Sequence, residues 1–520
     1  MTPICLTSLL HFVASRLRRA KKPRAIVPGD LPRRLVQKCL HQLAIPASII
    51  FNTITSSATY PSTWKVEHQI AIPKTSPPST EDDLRNIAKT PFLSKVYESF
   101  VSDWLLNVIR PYLDSSQCGL KGSSITHYLI KLLHFVHNSL DLRKPHVVLA
   151  AFVDLSKAFN RVSHSHVIQD LYDMKTPSWL LNILCSYLMG RSMTLTYNGA
   201  ASTIQLLPSG CPQGAYLGGL IFIIKFNGAF LRPPIPQPPT SLKEPKSMNV
   251  KYIDDRTVAV RVDLKESLAL DSETRPRPLA YHERSGHVLP PQNNLLQMYI
   301  HDAETFTSEN LMKINKVKTK TMKFTNSRNI DFPVEIEFSD GKLIENVEEM
   351  KLLGVVVSSD LKWTRNTTYI CQKARSKLWI LRRMAFLDLS VAEMFDVYAK
   401  EVRSILEYAA PVWHSSITRK QTSEIESIQK LAFRIILGNK YVRYSDACAV
   451  FKTETLERRR HTICLKFAQK NVKSEQSLFT LSNIDNRLRP RKNIVEEYRC
   501  NTTRFQKSSL PFLASILNGN

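Results

Sequence analysis

Three aspartates of this 520-residue chain stand where they could bind metal ions. Asp154 follows HVVLAAFV, an almost unbroken apolar run over His146–Val153 whose length and β-branched residues predict a buried strand. Asp254 and Asp255 lie inside MNVKYIDDRTVAVRV, where apolar residues alternate on both sides of the acidic pair. Because Asp is poor in strands and favoured in turns, this segment predicts a strand, a tight turn and a second strand.

The chemistry that such carboxylates could support is metal-dependent phosphoryl transfer. A charge at the end of an apolar strand is costly unless it is solvated, paired or bound to metal. Carboxylate oxygens suit Mg²⁺, which leaves other positions to water and substrate phosphates. Two ions about 3.5–4 Å apart can activate an attacking hydroxyl and stabilise the leaving oxygen of an in-line displacement. Taken alone, Asp254-Asp255 is more often an Asp-rich turn, so the pair by itself leaves both interpretations open.

The charge balance favours a polyanionic partner. Lys and Arg number 71 against 45 Asp and Glu, which gives a formal net charge of +26. Nucleic acid is the first candidate partner and an anionic membrane surface the second. The 43% hydrophobic content excludes a wholly disordered chain, and no apolar run approaches the roughly 18 residues that a membrane span needs.

The cysteines and the N-terminus bear on the cellular compartment. Nine cysteines form no CxxC pair and are irregularly spaced, which favours free thiols over a disulfide framework or a zinc knuckle. The basic cluster over Leu17–Arg24 resembles a nuclear localisation patch, and the acid-free start before Asp30 also resembles a mitochondrial transit peptide. A basic helix end, either bound to nucleic acid or merely solvated, is the alternative we favour. The pattern disfavours a secretory signal, because the charges follow the apolar stretch rather than precede it.

Several elements are expected to position these residues. Apolar spacing predicts helices over residues 31–58 and 93–108, and a helical region after Thr367 in which Gly438 ends one helix. Arg232–Lys246, with six prolines, and the polar Glu273–Asn294, with four, predict loops or insertions on either side of the hairpin.

A series of segments resembles, in order, the motifs of reverse transcriptases. FVDLSKAFNRVSH resembles motif A, PSGCPQGAYLGGLIFIIKFN motif B, KYIDDRT motif C, LMKINKVKTKTMKF motif D and MKLLGVVVSSDLKW motif E, the primer grip. WKVEHQIAIPK and DLRNIAKTPFLSKVYESF resemble the fingers motifs, and QCGLKGSSITHYLIKLLH the segment before motif A. The resemblance covers about 50 to 410 and is closest to the RNA-directed DNA polymerases of non-LTR (LINE-type, jockey-like) retrotransposons.

The resemblance implies an α+β right-hand polymerase with fingers, a palm of antiparallel sheet plus helices, and a helical thumb. Its parts are expected as follows: 1–60, an N-terminal basic and helical extension; 61–145, fingers; 146–345, palm, with Pro-rich insertions near 232–246 and 273–294; 346–410, primer grip and thumb; 411–520, a helical basic C-terminal region. The implied reaction is cDNA synthesis on a primed RNA template by two-metal-ion nucleotidyl transfer, in non-LTR retrotransposition.

The implied partners are an RNA template, a DNA primer or target DNA, and dNTPs, with no membrane. The implied location is nuclear and/or cytoplasmic, as a ribonucleoprotein, and not secreted. Thumb-side contacts to the nucleic-acid backbone are expected from basic residues of the helical region after residue 367, namely Lys373, Arg375, Lys377, Arg382, Arg383 and Arg458–Arg460.

The resemblance also assigns catalytic roles. Asp154, Asp254 and Asp255 become the palm carboxylates that bind two Mg²⁺ ions, for which Mn²⁺ can substitute, and the Leu155 carbonyl becomes a further metal ligand. Lys318 matches the motif D lysine, which could donate a proton to the departing pyrophosphate. A plain surface lysine is an equally good interpretation of Lys318.

Substrate contacts are implied at seven positions: Lys65, Arg85, Leu155, Phe159, Gln213, Gly214 and Tyr252. Phe159 takes the place of an aromatic steric gate that excludes a 2′-hydroxyl. Lys65 and Arg85 match fingers positions that contact the triphosphate. Gln213 and Gly214 are expected under the incoming nucleotide, where Gly permits close backbone approach.

Departures from the pattern bear on fidelity more than on the reaction. Motif A has Asn160 where the family often has a second Asp, motif B has Ala215 where Ser is common, and motif C is YIDD. We find no ribonuclease H constellation or CCHC knuckle, and no room before the fingers for an apurinic-type endonuclease. The alternatives are a catalytically inactive basic nucleic-acid-binding remnant and, less favoured because of Phe159 and Tyr252, an RNA-dependent RNA polymerase.

Overall fold

The computed structural model describes most of the chain, with gaps. The described residues are 6–19, 27, 29–74, 77–80, 83–143, 146–227, 245–263, 293–326, 335–482 and 494–519. Both expected Pro-rich segments, 232–246 and 273–294, fall mainly outside the described residues.

The strands are, in chain order, β1 (Val66–Pro73), β2 (Leu84–Lys89), β3 (His146–Val153), β4 (Ser192–Tyr197), β5 (Ala200–Ala201), β6 (Gln205–Leu206), β7 (Ser247–Tyr252), β8 (Asp255–Asp263), β9 (Lys320–Thr325), β10 (Glu349–Leu352) and β11 (Val355–Ser358).

The α-helices before the last strands are α1 (Leu6–Arg19), α2 (Arg33–Lys38), α3 (Leu40–Ser57), α4 (Phe92–Ile109), α5 (Ile125–Asp141), α6 (His164–Asp173), α7 (Ser178–Leu188), α8 (Tyr216–Lys225) and α9 (Asn293–Glu309). Those after β11 are α10 (Thr364–Phe386), α11 (Val391–Val397), α12 (Ser404–Leu406), α13 (Ala410–Trp413), α14 (Arg419–Leu437), α15 (Tyr444–Val450), α16 (Leu456–Val472), α17 (Thr503–Gln506) and α18 (Ser509–Leu517). A π-helical stretch, Tyr398–Arg403, joins α11 to α12.

The chain divides into two compact units. The first unit comprises Met1–Gln117, Leu155–Leu231 and Asp302–Asn315, and the second comprises Cys118–Asp154, Arg232–His301 and Lys316–Asn520. The coarse prediction of an α+β fold is confirmed. The expected boundaries of fingers, palm and thumb stay a prediction, and they do not coincide with these two units.

The second unit is built on a four-stranded antiparallel sheet of order β7-β8-β3-β9. Every residue of β3 is buried, which explains why its sequence is an unbroken apolar run rather than an alternating one. Helix α5 packs on this sheet, and its core includes Leu132, Leu133 and Val136 with Ala150 and Phe152 of β3. The sequence predicted β3 over the correct residues.

The first unit contains a five-stranded sheet in which β1 pairs with β2 antiparallel and with β4 parallel. Helix α4 packs against α8, and α6 packs against both α7 and α8. The predicted helix over 93–108 is α4, and the predicted helix over 31–58 is divided into α2 and α3 at Cys39.

The described residues also allow a comparison with the predictions on Gly438, the cysteines and membrane-spanning segments. Helix α14 ends at Leu437 with Gly438 as its C-cap, as predicted. All the described cysteines are free thiols. None of the described helices is long and apolar enough to span a bilayer.

The C-terminal segment packs along α5 through histidines. The His127 ring lies 5.1 Å from that of Phe467 in α16, and the His134 ring lies 5.0 Å from that of Tyr498 and 5.6 Å from that of Phe505. Asp141, the last residue of α5, accepts hydrogen bonds from the backbone N–H of Asn501 at 2.6 Å and from the Thr502 hydroxyl at 2.5 Å. Burial lowers the pKa of His127 and of His134 to about 4.

We expect these histidines to make the fold acid-sensitive. Both histidines have a pKa of about 4 in the folded chain and their ordinary pKa of 6.5 in the unfolded chain. The unfolded chain therefore binds more protons than the folded chain between pH 6.5 and about 4. The unfolding free energy should therefore fall as the pH decreases through that window. His134→Phe, which suits the neighbouring rings, should flatten the dependence by up to about 1.4 kcal/mol per pH unit, measured by denaturant titration at several pH values. An unchanged slope would contradict this account.

Candidate active site

Asp154, Asp254 and Asp255 lie at the same end of strands β3, β7 and β8 of the β7-β8-β3-β9 sheet, an end called the sheet edge below. The last pair of the β3–β8 ladder is Val153 with Arg256, so one further step of the same register sets Asp154 opposite Asp255. Strands β7 and β8 close with the pair Tyr252–Asp255, which leaves Ile253 and Asp254 as a two-residue turn. The predicted hairpin is confirmed, with Asp255 as the first residue of β8 rather than part of the turn.

The turn of this hairpin is strained at Ile253. Its φ is 57°, a left-handed conformation that a β-branched residue rarely adopts. Such strain persists only where surrounding structure maintains it, and it is concentrated at functional sites. Asp254, the next residue, is exposed at the tip of the hairpin.

The backbone of Asp154 is hydrogen-bonded to Thr319, which the sequence indicated only as a residue of motif D. The Asp154 N–H donates to the Thr319 hydroxyl at 3.2 Å, and Thr319 is buried. Lys318, exposed and adjacent to Thr319, comes two residues before Lys320, which pairs with Phe152 of β3. Lys318 therefore lies at the same edge of the sheet as the three aspartates.

Two buried cations form the residue pair of the β7–β8 ladder next to the pair Tyr252–Asp255. These cations are Lys251 and Arg256. Buried charges of this kind require hydrogen-bonding or charged partners within the fold.

Two tyrosines, Tyr128 and Tyr252, also belong to this part of the site. The Tyr128 hydroxyl of α5 is hydrogen-bonded to the hydroxyl of Thr257 in β8, which fixes the hairpin against the helix. Burial, and then the negative charge of Asp255, raise the pKa of Tyr252. Tyr252 is therefore a neutral, half-buried ring beside the carboxylates.

The donor set of this edge fits a hard cation, although it is not assembled as a complete cage. Among the described residues no group of three or more His, Cys, Asp and Glu side chains stands ready to hold a metal ion. Oxygen donors from adjacent strand ends, partly exposed, are nevertheless the type that binds Mg²⁺ through a few carboxylates, water and substrate phosphates.

In the first unit, Phe159 is fixed by the segment that contains Gln213 and Gly214. Its ring stacks on that of Phe222 in α8 at 4.5 Å and 16°, and its carbonyl accepts from the Cys211 N–H at 2.9 Å. A Cβ on Gly210 would lie 3.1 Å from the backbone of Phe159 and Asn160, so only glycine fits there without displacement. The Phe222 contact was not foreseen, because the apolar run of α8 does not indicate which side chain meets Phe159.

Gln213 and Gly214 also lie against β2. The Gln213 carbonyl accepts from the Ala88 N–H at 3.0 Å, and a Cβ on Gly214 would come within 3.3 Å of the Ala88 carbonyl. Gly214 has a φ of 115°, which other residues rarely adopt. Gly214 is therefore approached closely by β2, and its predicted close approach to the incoming nucleotide stays a prediction.

Helix α8 begins on a carboxylate from α4 that the sequence did not single out. Glu98, fully buried, accepts from the Leu217 N–H at 3.3 Å and from the Ser94 hydroxyl at 3.0 Å. Burial raises the pKa of Glu98 while the Leu217 N–H opposes that rise. The N-terminal N–H groups of a helix favour such an acceptor, so Glu98 anchors the end of the motif B segment.

The two predicted triphosphate contacts of the fingers are far apart. Arg85 pairs with Ile72 near the end of β1, whereas Lys65 precedes the first residue of that strand. The seven positions between Lys65 and Ile72 correspond to about 23 Å along a strand. The register therefore separates the backbones of Lys65 and Arg85, and their joint contact with one triphosphate stays a prediction. Lys74, whose N–H donates to the Asp83 carbonyl at 2.7 Å, is the lysine beside Arg85 in the hairpin.

The environments of Lys65 and Leu155 differ from what was expected of them. Burial, and then Arg191, lower the pKa of Lys65, which is half-buried between β1 and β4. Leu155 forms an isolated antiparallel bridge with Ile314 in the first unit. The structure thus gathers Asp154, Asp254, Asp255, Lys318 and Tyr252 in the second unit. The first unit contains the other predicted residues, Lys65, Arg85, Leu155, Phe159, Gln213 and Gly214.

Comparison with known proteins identifies the family. The family described as reverse transcriptase (RNA-dependent DNA polymerase) matches residues 72–357, which is more than half of the chain. The chain belongs to the reverse transcriptase family. The match contains the strand ends that carry the aspartates, the motif B segment and β2, and it begins near the end of β1.

Curated reverse transcriptases of transposable elements are similar over most of the chain. The RNA-directed DNA polymerase from mobile element jockey of Drosophila melanogaster is 25% identical over 466 residues, 87% of this chain and 46% of that protein. The probable RNA-directed DNA polymerase from transposon X-element of the same species is 23% identical over 408 residues, 76% of this chain and 40% of that protein. The expected similarity to jockey-like reverse transcriptases is confirmed, and the chain spans less than half of the length of these relatives.

Adjacent glycines of α8 should respond oppositely to substitution in this reverse transcriptase domain. A Cβ on Gly218 would lie 2.1 Å from the Pro212 carbonyl oxygen, whereas a Cβ on Gly219 would meet nothing within 4 Å. Gly218→Ala should therefore displace the motif B segment and cost about 1–3 kcal/mol. Gly219→Ala should stabilise the helix by about 0.5–1 kcal/mol. Thermal and denaturant unfolding of the two variants test this, and equal effects would contradict the geometry.

Proposed function

We propose that this chain is the polymerase part of a non-LTR retrotransposon protein, an RNA-directed DNA polymerase that makes cDNA on a primed RNA template. The observation that carries the proposal is the β3–β8 register, which sets Asp154 opposite Asp255 beside the tip residue Asp254. In a member of the reverse transcriptase family, carboxylates at this sheet edge are what nucleotidyl transfer requires. The right-hand arrangement of fingers, palm and thumb belongs to the same proposal.

Asp154, Asp254 and Asp255 would hold two Mg²⁺ ions, with the carbonyl of Leu155, the next residue in the chain, as a further ligand. When bound, such ions activate the attacking hydroxyl and stabilise the leaving oxygen. Thr319 keeps the Asp154 backbone in place through its 3.2 Å hydrogen bond. Lys318, at the same edge, would donate a proton to the departing pyrophosphate.

The first unit would bind the incoming deoxynucleotide. Arg85, with Lys74 in place of the predicted Lys65, would contact the triphosphate, since both lie at the free end of the β1–β2 hairpin. Gln213 and Gly214 would lie beneath the nucleotide, and Phe159 would exclude a 2′-hydroxyl. Tyr252 would line the primer side of the carboxylates.

The long helix α10 would contact the backbone of the bound nucleic acid. Arg375, Trp379, Arg382 and Phe386 share one exposed stripe of the helix, with Trp379 61% exposed and Phe386 75% exposed. Exposed aromatic rings between arginines suit a nucleic-acid surface. The prediction that Arg460 contacts the nucleic-acid backbone is wrong. Arg460 lies in α16 and is fully buried, with its guanidinium 5.6 Å from the centre of the Trp413 ring. A ribonucleoprotein in the nucleus, the cytoplasm or both would fit this activity.

Removing the charge of Asp154 should abolish synthesis. Asp154→Asn keeps the shape of the side chain, so Mg²⁺-dependent extension of a DNA primer on an RNA template should fall by about 100-fold or more. Binding of the primed template should be retained. Asp388→Asn is the matched control, because Asp388 is exposed in the same unit and its left-handed φ of 51° suits Asn. Full extension by Asp154→Asn would contradict the proposal, and a wild type that only binds would indicate the inactive remnant.

Phe159 should determine the choice of sugar. Phe159→Val removes the ring that would meet a 2′-hydroxyl, so the variant should keep dNTP incorporation and admit rNTPs much more readily. The lost ring contact with Phe222 could destabilise the fold by about 3 kcal/mol, so unfolding is measured alongside. Single-nucleotide incorporation compares dNTP with rNTP. A wild type that prefers rNTPs would indicate an RNA polymerase, and an unchanged preference in the folded variant would exclude Phe159 as the gate.

The α10 stripe should contribute to the salt dependence of binding. Arg375→Gln with Arg382→Gln should weaken the binding of a primed template and reduce the slope of log affinity against log salt by about one per lost contact. Lys440→Gln with Lys452→Gln removes the same charge at exposed positions outside α10. Fluorescence anisotropy over a salt series measures both pairs, and equal slopes for the two pairs would refute the assignment.

A further inference from the structure

The turn between β10 and β11 has a sequence that does not suit its backbone. The pair Leu352–Val355 closes a two-residue turn of Leu353 and Gly354, whose φ values are 47° and 88°. Positive φ at both central positions is the type I′ geometry, which favours Asn-Gly. Leu at the first position is strained, and such strain persists only where neighbouring groups maintain it.

Tyr408 is the group that maintains this turn. Its hydroxyl donates to the Leu353 carbonyl at 2.9 Å. A Cβ on Gly354 would lie 3.1 Å from Cε1 and 3.4 Å from the hydroxyl oxygen of Tyr408, so the ring lies directly against the glycine. The contact joins residues 55 positions apart in the chain and closes only in the folded unit.

Tyr408 is itself fixed by its own backbone. Its carbonyl accepts from the Trp413 indole N–H at 3.0 Å, and Trp413 is fully buried in α13. The next residue, Ala409, has a left-handed φ of 51°, and a π-helical stretch precedes α12 just upstream. Tyr408 remains 41% exposed, so its ring is not simply a filler of the core.

The same ring stands near two other functional elements of the second unit. Burial raises the pKa of Tyr408, and Tyr252 of the β7–β8 hairpin and Tyr369 of α10 raise it further. Lys351 of β10 lies 4.6 Å from the centre of the Tyr369 ring. Tyr252, Leu353 and Tyr369 all pack against the hydrophobic core of the second unit, to which Tyr408 is joined through Leu353 and Trp413.

We propose that Tyr408 is a positioning residue that sets the primer 3′ end against the catalytic edge by holding the Leu353-Gly354 turn in place. The inference rests on the proposed function and on the resemblance of the β10–β11 segment to motif E, the primer grip. The hydroxyl of Tyr408 touches no substrate and acts through the turn. Its removal should therefore affect the reaction step more than the binding of primed template, which depends on many phosphate contacts.

Tyr408→Phe tests this with a control that the chain itself offers. Tyr498 is also partly buried in the second unit, and its hydroxyl also approaches a leucine carbonyl, that of Leu478, at 3.5 Å. Tyr498→Phe removes a comparable group away from the β10–β11 turn. Tyr408→Phe should lower the single-turnover rate constant at saturating dNTP about two- to tenfold, the loss expected for one hydrogen bond, whereas Tyr498→Phe should not. The KM for dNTP and the Kd for primed template should stay unchanged in both.

A binding readout separates this inference from the proposed function. With 2-aminopurine as the last base of the primer, Tyr408→Phe should change the fluorescence of the bound complex, and Tyr498→Phe should not. A probe base far upstream should report no change in either variant. A wild type that never extends a primer would overturn the proposed polymerase function, while the fluorescence would still decide whether Tyr408 positions the primer end.

Two results would overturn the inference itself. One is a Tyr408→Phe protein with wild-type rate and wild-type terminal-base fluorescence. The other is a loss of rate that Tyr498→Phe reproduces at an equal change in unfolding temperature, because that would reduce Tyr408 to a contributor to stability.

Discussion

The antiparallel pairing of β3 with β8 is the constraint on which the rest of the site depends. Its register ends at Val153 and Arg256, and this alone brings Asp154 to the level of Asp255, although about a hundred residues separate them in sequence. A slip of one residue would turn every side chain of β3 to the other face of the sheet. Because β3 is buried along its whole length, with α5 on one face, such a slip would expose none of its apolar groups but would mismatch all of them.

Two strained turns near this sheet are maintained by long-range contacts. Ile253 and Leu353 both adopt left-handed φ values, 57° and 47°, at the first position of a two-residue hairpin turn. Neither residue is a choice that turn chemistry alone would make, and strain of this kind typically costs about 1–3 kcal/mol. Tyr408 holds the second turn, and the buried network of Tyr128 and Thr257 supports the strand that follows the first. Local stability is thus exchanged for a fixed position of the groups that would meet the substrate.

The sequence predicted what depends on local pattern. An apolar run of eight residues gave β3 its correct bounds, and alternation around Asp254-Asp255 predicted the hairpin. The ordered motifs predicted the family.

Contacts between distant segments could not be predicted, because no local pattern specifies them. Glu98 capping α8, Phe222 under Phe159, and Thr319 on the Asp154 backbone are of this kind. The same limit explains the error at Arg460 and the unexpected separation of Lys65 from Arg85. The triplet at Arg460 looks like a solvated basic cluster until its burial is known, and Lys65 and Arg85 look alike until the β1–β2 register separates them.

The central claim is that Asp154 and the Asp254-Asp255 pair of the β7–β8 hairpin bind the same divalent ions. Iron-mediated cleavage tests it most directly: Fe²⁺ replaces Mg²⁺, added hydrogen peroxide is reduced at the bound ion to hydroxyl radicals that cut the nearby backbone, and ascorbate regenerates Fe²⁺. The account predicts cuts close to residue 154 and close to residues 254–255 in the same molecule. Excess Mg²⁺ should suppress both sets of cuts, and Asp154→Ala should remove both. Cuts at only one of the two segments, or cuts that survive Asp154→Ala, would contradict a shared metal site and with it the proposed mechanism.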